Sequence, residues 1–359
     1  MRLGKICNFS YGDSLPDLSR IKGRFPVYGS NGIVGWHNAA VTGGPTIIIG
    51  RKGSVGKIHY SPNPVFPIDT TYFIEKTKIP CDLRWLYYAL CTLGLEDLNR
   101  AAAVPGLNRE DAYEKELIFP SEPEQKRIAA ILDKADRLRR QCRFAQTLSA
   151  SFLESVFIKM FGDELNDDYP KTDLIKLVTI TGGGTPSREI DEYFTGRIPW
   201  LTSKDMRGDY IFDTEEHITE EAIKKSATKL VPKGSILIVV KSKVLMHRLP
   251  LAVAQVPMCH GQDIKSLQCS TAVNPLFLVY VLKHNSPYLL RIARGANTEG
   301  LTLPMLETIQ VPNAPLPLQE KFAAIVQKFE RIRRQQREAT RQAEHLFQTL
   351  LHRAFSGNL

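Results

Sequence analysis

The sequence has no long apolar run and no paired cysteines. None of its apolar stretches reaches 18 residues, the length that suggests a membrane-spanning helix. The N-terminus, Met1-Arg2-Leu3-Gly4-Lys5, lacks the apolar stretch of a secretory signal. The six cysteines include no Cys-x-x-Cys pair, and with the eight histidines they complete no zinc-binding pattern. These absences argue against membrane, secreted and zinc-binding proteins. We therefore expect reduced thiols in a cytoplasm and no bound metal.

Much of the net positive charge of the chain comes from two segments. The 359 residues carry a net charge of +9, of which residues 122–160 contribute +3 and residues 316–359 contribute +4. An excess of lysine and arginine favours an anionic partner. Because both segments are also predicted helices, a solvated helix face is an equally good interpretation of any single basic residue.

An internal repeat organises the chain. Residues 125–141 (QKRIAAILDKADRLRRQ) match residues 319–335 (QEKFAAIVQKFERIRRQ) at nine of 17 positions, at a constant offset of 194. The same offset pairs Asp69 with Asp263. Chance similarity between two helices would not hold one offset across separate segments. We therefore interpret the chain as one unit that occurs twice, a variable region followed by a long helix.

Both long helices are predicted to bury a stripe of apolar side chains. Apolar residues recur there at alternating steps of three and four, the heptad-like spacing with which helices pack together. The predicted seam consists of Ile128, Ile131, Leu138 and Phe152 in the first helix and Phe322, Ile325, Phe329, Ile332 and Leu346 in the second. The simplest arrangement is one antiparallel pair, which would put the variable regions at opposite ends of a rod. Pairing with the helices of another protein is the alternative.

The variable regions show mixed α/β patterns. Residues 46–49 and 235–240 are apolar runs typical of buried strands, and residues 83–93 and 276–283 are predicted as short helices. The predicted fold class is α+β: two α/β domains separated by two long antiparallel helices that form a coiled coil, with a pseudo-two-fold relation from the duplication. The predicted boundaries are 1–121 for the first domain, 122–162 for the central helix, 163–314 for the second domain and 315–359 for the C-terminal helix.

Several stretches resemble a known family, the specificity subunits of type I restriction–modification systems. They follow the family's order on both copies of the repeat: FPVYGSNGIVGWH (25–37), GPTIIIGRKGSVGKIHY (44–60), AVPGLNREDA (103–112), GGGTPSREIDEYFTGRIPWLTSKDM (182–206), HGQDIKSL (260–267) and HRAFSGNL (352–359). The resemblance covers essentially the whole chain, although Glu320-Lys321-Phe322 is less typical in the second copy.

The resemblance implies a non-catalytic subunit that binds double-stranded DNA. In the family, each variable region is a target recognition domain that reads one half of a bipartite sequence, and the coiled coil fixes the spacing between the halves. The helices also dock two methyltransferase subunits, and the complex recruits restriction/translocase subunits. The family therefore implies no cofactor on this chain, with S-adenosylmethionine, ATP and Mg²⁺ on the partner subunits.

Candidate DNA contacts lie mainly in turns next to the predicted strands. Glycines there would let backbone N–H groups approach phosphates, and Arg, Lys, Asn and Ser side chains can reach base edges. The candidates in the first domain are Tyr28, Ser30, Asn31, Arg51, Lys52, Ser54 and Lys57. Those in the second are Thr185, Ser187, Ser203, Lys204, Arg207, Lys241, Ser242, Lys243, His247 and Arg248. An ordinary solvated loop is the alternative interpretation of each turn.

Two motifs resemble those of enzymes, but neither is complete. Gly53-Ser54-Val55-Gly56-Lys57 resembles a phosphate-binding loop, yet Arg51 and Ile58 stand where that loop needs Gly and Ser or Thr. The segments that begin at Asn63-Pro64 and Asn274-Pro275 lack the second proline of the Asn-Pro-Pro-aromatic box of amino-methyltransferases. Two alternative functions stay open. One is a self-sufficient DNA adenine methyltransferase, and the other is a coiled-coil adaptor without sequence specificity.

Overall fold

The chain divides into two units that each combine a globular part with segments of the long helices. The computed structural model describes residues 1–98, 106–149, 151–162, 169–295 and 300–359, so residues 103–105 of the quoted stretch 103–112 lie outside the described residues. Unit 1 comprises Met1–Gln146 and Gln336–Leu359, and unit 2 comprises Thr147–Gln335. The four predicted segments are thus distributed over two units.

Unit 1 contains two sheets beside its helices. Its strands are β1 (Ser10–Tyr11), β2 (Phe25–Gly29), β3 (Gly32–His37), β4 (Thr46–Gly50), β5 (Ile58–Ser61), β6 (Phe66–Pro67) and β7 (Thr71–Ile74). Its helices are α1 (Leu83–Leu90), α2 (Arg109–Tyr113) and α3 (Glu122–Leu148). The sheet orders are β1-β7-β4-β5 and β3-β2-β6. Strand β4 lies between two neighbours and is buried along its whole length, which suits its three successive isoleucines.

Unit 2 repeats this plan with additional elements. Its strands are β8 (Lys171–Asp173), β9 (Val178–Gly182), β10 (Ile198–Leu201), β11 (Tyr210–Ile211), β12 (Glu216–Ile218), β13 (Ile236–Val239), β14 (Leu251–Ala254), β15 (Cys259–His260), β16 (Ile264–Cys269) and β17 (Gln310–Pro312). Its helices are α4 (Phe152–Phe161), α5 (Leu174–Leu177), α6 (Glu220–Lys224), α7 (Pro275–His284), α8 (Ser286–Gly295) and α9 (Leu303–Glu307). The last helix, α10 (Leu316–Phe355), belongs to unit 2 up to Gln335 and to unit 1 beyond it.

The strand connectivity confirms the duplication. Strand β2 pairs antiparallel with β3 and parallel with β6, and β10 pairs in the same way with β12 and β15. Strand β4 pairs antiparallel with β5 and β7, and β13 pairs antiparallel with β14 and β16. The two units therefore share one topology as well as one sequence offset.

A buried glutamine is repeated at the start of each long helix. Gln125 is fully buried, and its side-chain oxygen accepts a hydrogen bond of 2.9 Å from the backbone N–H of Asp82, the N-cap residue of α1. Gln319, which is also buried, accepts a bond of 2.8 Å from the N–H of Asn274, the N-cap residue of α7. A buried polar side chain needs such partners. Both copies of the repeat therefore have glutamine at this position because each forms the same hydrogen bond to the N-cap residue of a neighbouring helix.

The cores of both units include side chains from the long helices. In unit 1 the core around Trp85 contains Leu132 of α3 and Phe347 of α10, all of which are buried. In unit 2, Phe157 of α4 packs against Phe322 of α10, with ring centroids 5.5 Å apart. Full burial of such a side chain contributes roughly 1.5–3 kcal/mol. The helices are therefore structural parts of the two globular units.

The helices pack antiparallel, as predicted, but the central helix is interrupted. In unit 1, Arg127 contacts the carbonyl of Leu359, whereas Arg139 contacts Glu344, so the two chain directions oppose each other. The prediction of one continuous central helix over residues 122–162 is wrong, because α3 ends at Leu148 and α4 begins at Phe152. Two serines, which are poor residues for a helix interior, flank the break at positions 149 and 151.

The predicted seam needs correction at three positions. Leu138, Ile332 and Leu346 are 44%, 41% and 44% exposed, so they do not belong to a buried stripe. The heptad pattern assumes that each helix faces only another helix, whereas here it also faces a globular core. That second contact buries neighbouring positions such as Leu132 and Phe347 instead.

The remaining seam positions lie at helix–helix or helix–core contacts. Ile128 and Phe322 are buried, and Ile131, Ile325 and Phe329 are partly buried. Phe152 is 43% exposed, yet its ring stacks on that of Phe329 at a centroid distance of 4.5 Å.

Adjacent residues of α10 provide a direct test of the corrected seam. Phe347→Ala is expected to lower the free energy of unfolding by about 3–5 kcal/mol, because it removes a buried aromatic side chain. Leu346→Ala is the matched control, with an expected loss of about 0.5 kcal/mol or less at its exposed position. Urea denaturation of the full chain measures both values. Equal losses would contradict the assignment.

Candidate functional site

The first candidate turn (residues 50–57) connects β4 to β5 and is closed by its own backbone. The N–H groups of Arg51 and Lys52 both donate to the carbonyl of Thr70, at 2.9 and 3.1 Å. These two N–H groups are therefore not free to bind a phosphate in this conformation, and the predicted phosphate contacts of the turn stay a prediction. The side chains of the turn remain as the groups that can contact a ligand.

The glycines of the first turn serve its geometry. Gly53 has φ +76° and Gly56 has φ +72°, a conformation that glycine adopts without the strain other residues incur. A Cβ atom on Gly56 would lie 2.4 Å from the backbone nitrogen of Glu96, whereas a Cβ on Gly53 would meet nothing within 4 Å. Close packing therefore requires glycine at position 56, and positive φ favours it at both positions.

Arg51 is held rigidly at the base of the first turn. Its guanidinium donates to the carbonyl of Asp69 through Nη2 (2.5 Å) and Nε (3.2 Å). The same group lies over the rings of Tyr11 and Tyr72, at 5.3 and 5.8 Å from their centroids. The guanidinium of Arg109 also lies over the ring of Tyr11, at 5.5 Å from its centroid. Sequence analysis missed Tyr11 and Arg109, since neither lies in a glycine-rich turn and only folding brings them to Arg51.

A second loop, after β2, meets the first turn. The Nζ of Lys57 donates to Oδ1 of Asn31 at 2.7 Å, and both residues are exposed. Ser30, by contrast, is buried and its hydroxyl donates to the Thr70 carbonyl at 2.6 Å. Ser30 therefore stabilises the loop in this conformation, and its role as a DNA contact stays a prediction. Lys52 is exposed.

Aromatic side chains border the same region of unit 1. The rings of Tyr28 and His59 lie 6.0 Å apart, and Nε2 of His59 lies 3.2 Å from the carbonyl of Ser30. Burial raises the pKa of Tyr28 and lowers the pKa of His59. At neutral pH both groups are therefore uncharged and can exchange hydrogen bonds with a ligand. Ser54 is partly buried in the neighbouring turn.

In unit 2, several predicted residues line one cleft. Thr185, Ser203 and Lys204 border a cleft of about 360 Å³ whose wall also contains Trp200 and Arg188. Arg188 is paired with Glu216 through two hydrogen bonds, and its guanidinium lies 5.1 Å from the ring centroid of Trp200. These hydrogen bonds lower the pKa of Glu216, so the carboxylate stays charged. The wall of the cleft therefore contains both positively and negatively charged side chains. Arg188 is not among the contact residues predicted from the sequence.

Three other predicted DNA-contact residues of unit 2 form hydrogen bonds with residues close to them in the sequence. Arg207 pairs with Glu215 at 3.0 Å, and Ser187 is exposed with its Oγ 3.4 Å from the N–H of Glu189. The Ser242 hydroxyl caps the short 3-10 helix Lys243–Met246 by accepting from the N–H of Val244.

The turn after β13 (residues 241–248) presents basic groups on the surface of unit 2. Lys241, Lys243 and His247 are exposed. Arg248 donates to the carbonyl of Met206 at 3.0 Å, which ties the turn to the loop that carries Lys204. The structure therefore brings the separate candidates of unit 2 together on neighbouring loops.

The described residues contain no metal-binding cluster of three or more His, Cys, Asp or Glu side chains. Burial raises the pKa of the Cys7 and Cys269 thiols to about 12, so both stay protonated at neutral pH. No helix among the described residues is both long and apolar enough to cross a membrane.

Comparison with known proteins gives one consistent set of relatives. A family model described as a type I restriction modification DNA specificity domain matches residues 1–142 and 166–342. The chain is 33% identical over 152 residues to the type I restriction enzyme EcoR124I/EcoR124II specificity subunit of Escherichia coli. The matched region covers 42% of this chain and 38% of that protein. The chain is 32% identical over 159 residues to the type I restriction enzyme MjaIX specificity subunit of Methanocaldococcus jannaschii, covering 42% and 35%. These matches span little more than a third of each relative.

The fold also has a known counterpart. The structure is similar to a crystal structure of the type I restriction–modification system S subunit from M. genitalium, with a TM-score of 0.71 and 17% sequence identity. The similarity covers 99% of this chain and 95% of that one. At this identity it supports the fold alone.

Proposed function

Because the chain belongs to the type I restriction modification DNA specificity family, we propose that it reads a bipartite DNA sequence, one half with each unit. The observation that carries this proposal is the shared topology with different side chains at equivalent places. The turn after β4 offers Arg51 and Lys57, whereas the turn after β13 offers Lys241, Lys243 and His247. One scaffold with two sets of readers fits a target whose halves differ.

The geometry suggests how each unit divides its contacts. Exposed lysines such as Lys52 and Lys243 carry flexible charges suited to phosphates, which position a protein without reading sequence. Arg51 and the Asn31–Lys57 pair are held in place by internal hydrogen bonds. Fixed donors of this kind suit base edges, because a rigid group distinguishes bases by geometry.

In this proposal the chain has no catalytic activity and acts through partner subunits. Two methyltransferase subunits would supply S-adenosylmethionine chemistry, and restriction/translocase subunits would use ATP and Mg²⁺. Exposed apolar side chains of the long helices, such as Leu138 and Leu148, support a docking role for these helices. The shared helices would also set the number of base pairs between the half-sites.

Reconstitution tests the division of labour. The full chain alone is expected to transfer no methyl group from S-adenosylmethionine to DNA. Together with its methyltransferase subunit it is expected to direct adenine methylation to a split, asymmetric sequence, measured by methylome mapping in cells that express both. Methylation by the chain alone would favour the self-sufficient methyltransferase. Methylation by the complex without sequence preference would favour the adaptor.

Arg51 and its neighbour Lys52 test the assignment of base and phosphate contacts. Arg51→Ala is expected to weaken binding by about 1–3 kcal/mol and to relax recognition at one position of one half-site. Lys52→Ala, the matched control, is expected to weaken binding equally for all sequences. Competition binding with a set of single-base variants of the target measures both effects, and thermal melting checks that the packing around Tyr11 survives. An unchanged specificity profile in Arg51→Ala removes Arg51 from the readers.

A further inference from the structure

An open groove in unit 1 lies between the sheet edge and the central helix. It has a volume of about 940 Å³ and is called the arginine groove below. The side chains that matter here come from both walls: Tyr28, His59 and Tyr60 from the sheet side, and Arg137, Arg140 and Arg143 from α3. The predicted DNA-contact residues all lie outside α3.

The helix wall of the arginine groove carries more positive than negative charge. Five arginines and two aspartates line the groove. Asp133 is hydrogen-bonded to Arg84, and Asp136 is paired with Arg139 and Arg140. Glu344 of α10 is paired with Arg139 and Arg143, so three carboxylates face the five arginines. Arg137 is exposed, and within the described part of the chain it forms no ion pair or hydrogen bond. The groove therefore presents uncompensated positive charge.

Aromatic rings hold the opposite wall in place. The guanidinium of Arg84 lies over the rings of Tyr60 and Tyr87, at 4.4 and 4.9 Å from their centroids. Because Arg84 is also bonded to Asp133 of α3, these contacts connect the sheet edge, α1 and α3 at the groove. Arginines next to apolar and aromatic side chains suit the DNA backbone. One guanidinium can bind two oxygens of a phosphate at once, and the sugars are largely apolar.

The arginine groove is continuous with the candidate readers of unit 1. Tyr28 and His59 line it, and His59 contacts the carbonyl of Ser30 next to Asn31. A DNA strand read by Asn31 and Lys57 would therefore pass close to the helix wall. This continuity favours nucleic acid over an acidic protein surface as the occupant.

The corresponding groove of unit 2 differs in charge. It is smaller, about 430 Å³, and its cations are paired: Lys283 with Asp209 at 3.0 Å and Arg333 with Glu330 at 2.8 Å. Glu154 also lines it. The groove at the duplicated position is therefore smaller and lacks the excess of positive charge.

We propose that the arginine groove binds the phosphate backbone of DNA beside the half-site read by unit 1, so that the spacer helix α3 itself contacts DNA. The proposal rests on the proposed DNA-reading function. It adds an asymmetry, because this helix contact is strong in unit 1 and weak in unit 2.

The salt dependence of DNA binding tests the proposal. Each lost phosphate contact reduces the slope of log K against log salt concentration by about 0.9. The full-length double variant Arg137→Gln/Arg140→Gln is expected to reduce this slope by about 1.8, on a random-sequence 30-bp duplex and on the mapped target duplex alike. The ratio of target to random affinity is expected to stay unchanged. Arg341→Gln is the matched control, because Arg341 is an exposed helix arginine of unit 1 outside the groove, and its slope is expected to equal the wild-type slope.

The outcomes separate this proposal from the proposed function. A wild-type slope in the double variant overturns the groove proposal, even if the chain still prefers its target. Unchanged DNA binding with weakened assembly of the methyltransferase subunit overturns it in favour of a protein occupant. A wild-type chain without target preference argues against the proposed function, whereas a reduced slope on random DNA would still support the groove. Because Arg140 contacts the buried Asp136, Arg137→Gln alone, with an expected reduction of about 0.9, covers the case in which the double variant fails to fold.

Discussion

In both units, side chains of the long helices are buried in the core of the globular part. Phe347 completes the core of unit 1, and Phe157 and Phe322 complete that of unit 2. Because these side chains are shared between helix and domain, a domain cannot move on its helix without exposing them to water. The candidate readers of each unit are therefore fixed relative to the helix segments of that unit. A protein that measures the distance between two half-sites needs this coupling.

The duplication could be predicted from the sequence because it is recorded in residues whose geometry is fixed. Gln125 and Gln319 each accept a hydrogen bond from the N-cap residue of a neighbouring helix. Asp136 and Glu330, which stand at the same offset of 194, are buried carboxylates that pair with Arg139 and Arg333. Such positions tolerate little change, since a buried polar group that loses its partner is costly. The repeat thus survived where the readers diverged.

The details of packing and of the site could not be predicted in the same way. Periodicity identifies an apolar helix face but does not say whether another helix or a globular core covers it, so it predicts Leu346 at the seam, whereas Phe347 is the buried residue. Glycine-rich turns predicted where basic side chains gather. They gave no sign that Ser30 would be buried or that Tyr11 and Arg109 would join Arg51, because those contacts join segments far apart in the sequence.

In the proposed function two different readers are held at a fixed distance by shared helices, so a change in the length of the helices should change the distance between the half-sites. Insertion of one heptad into each long helix adds about 10 Å of helix, which corresponds to about three base pairs at 3.4 Å each. Methylome mapping of the lengthened chain with its methyltransferase subunit is predicted to show both half-sites unchanged and the gap between them about three base pairs longer. Methylation at the original gap would show that the helices do not set the distance between the half-sites.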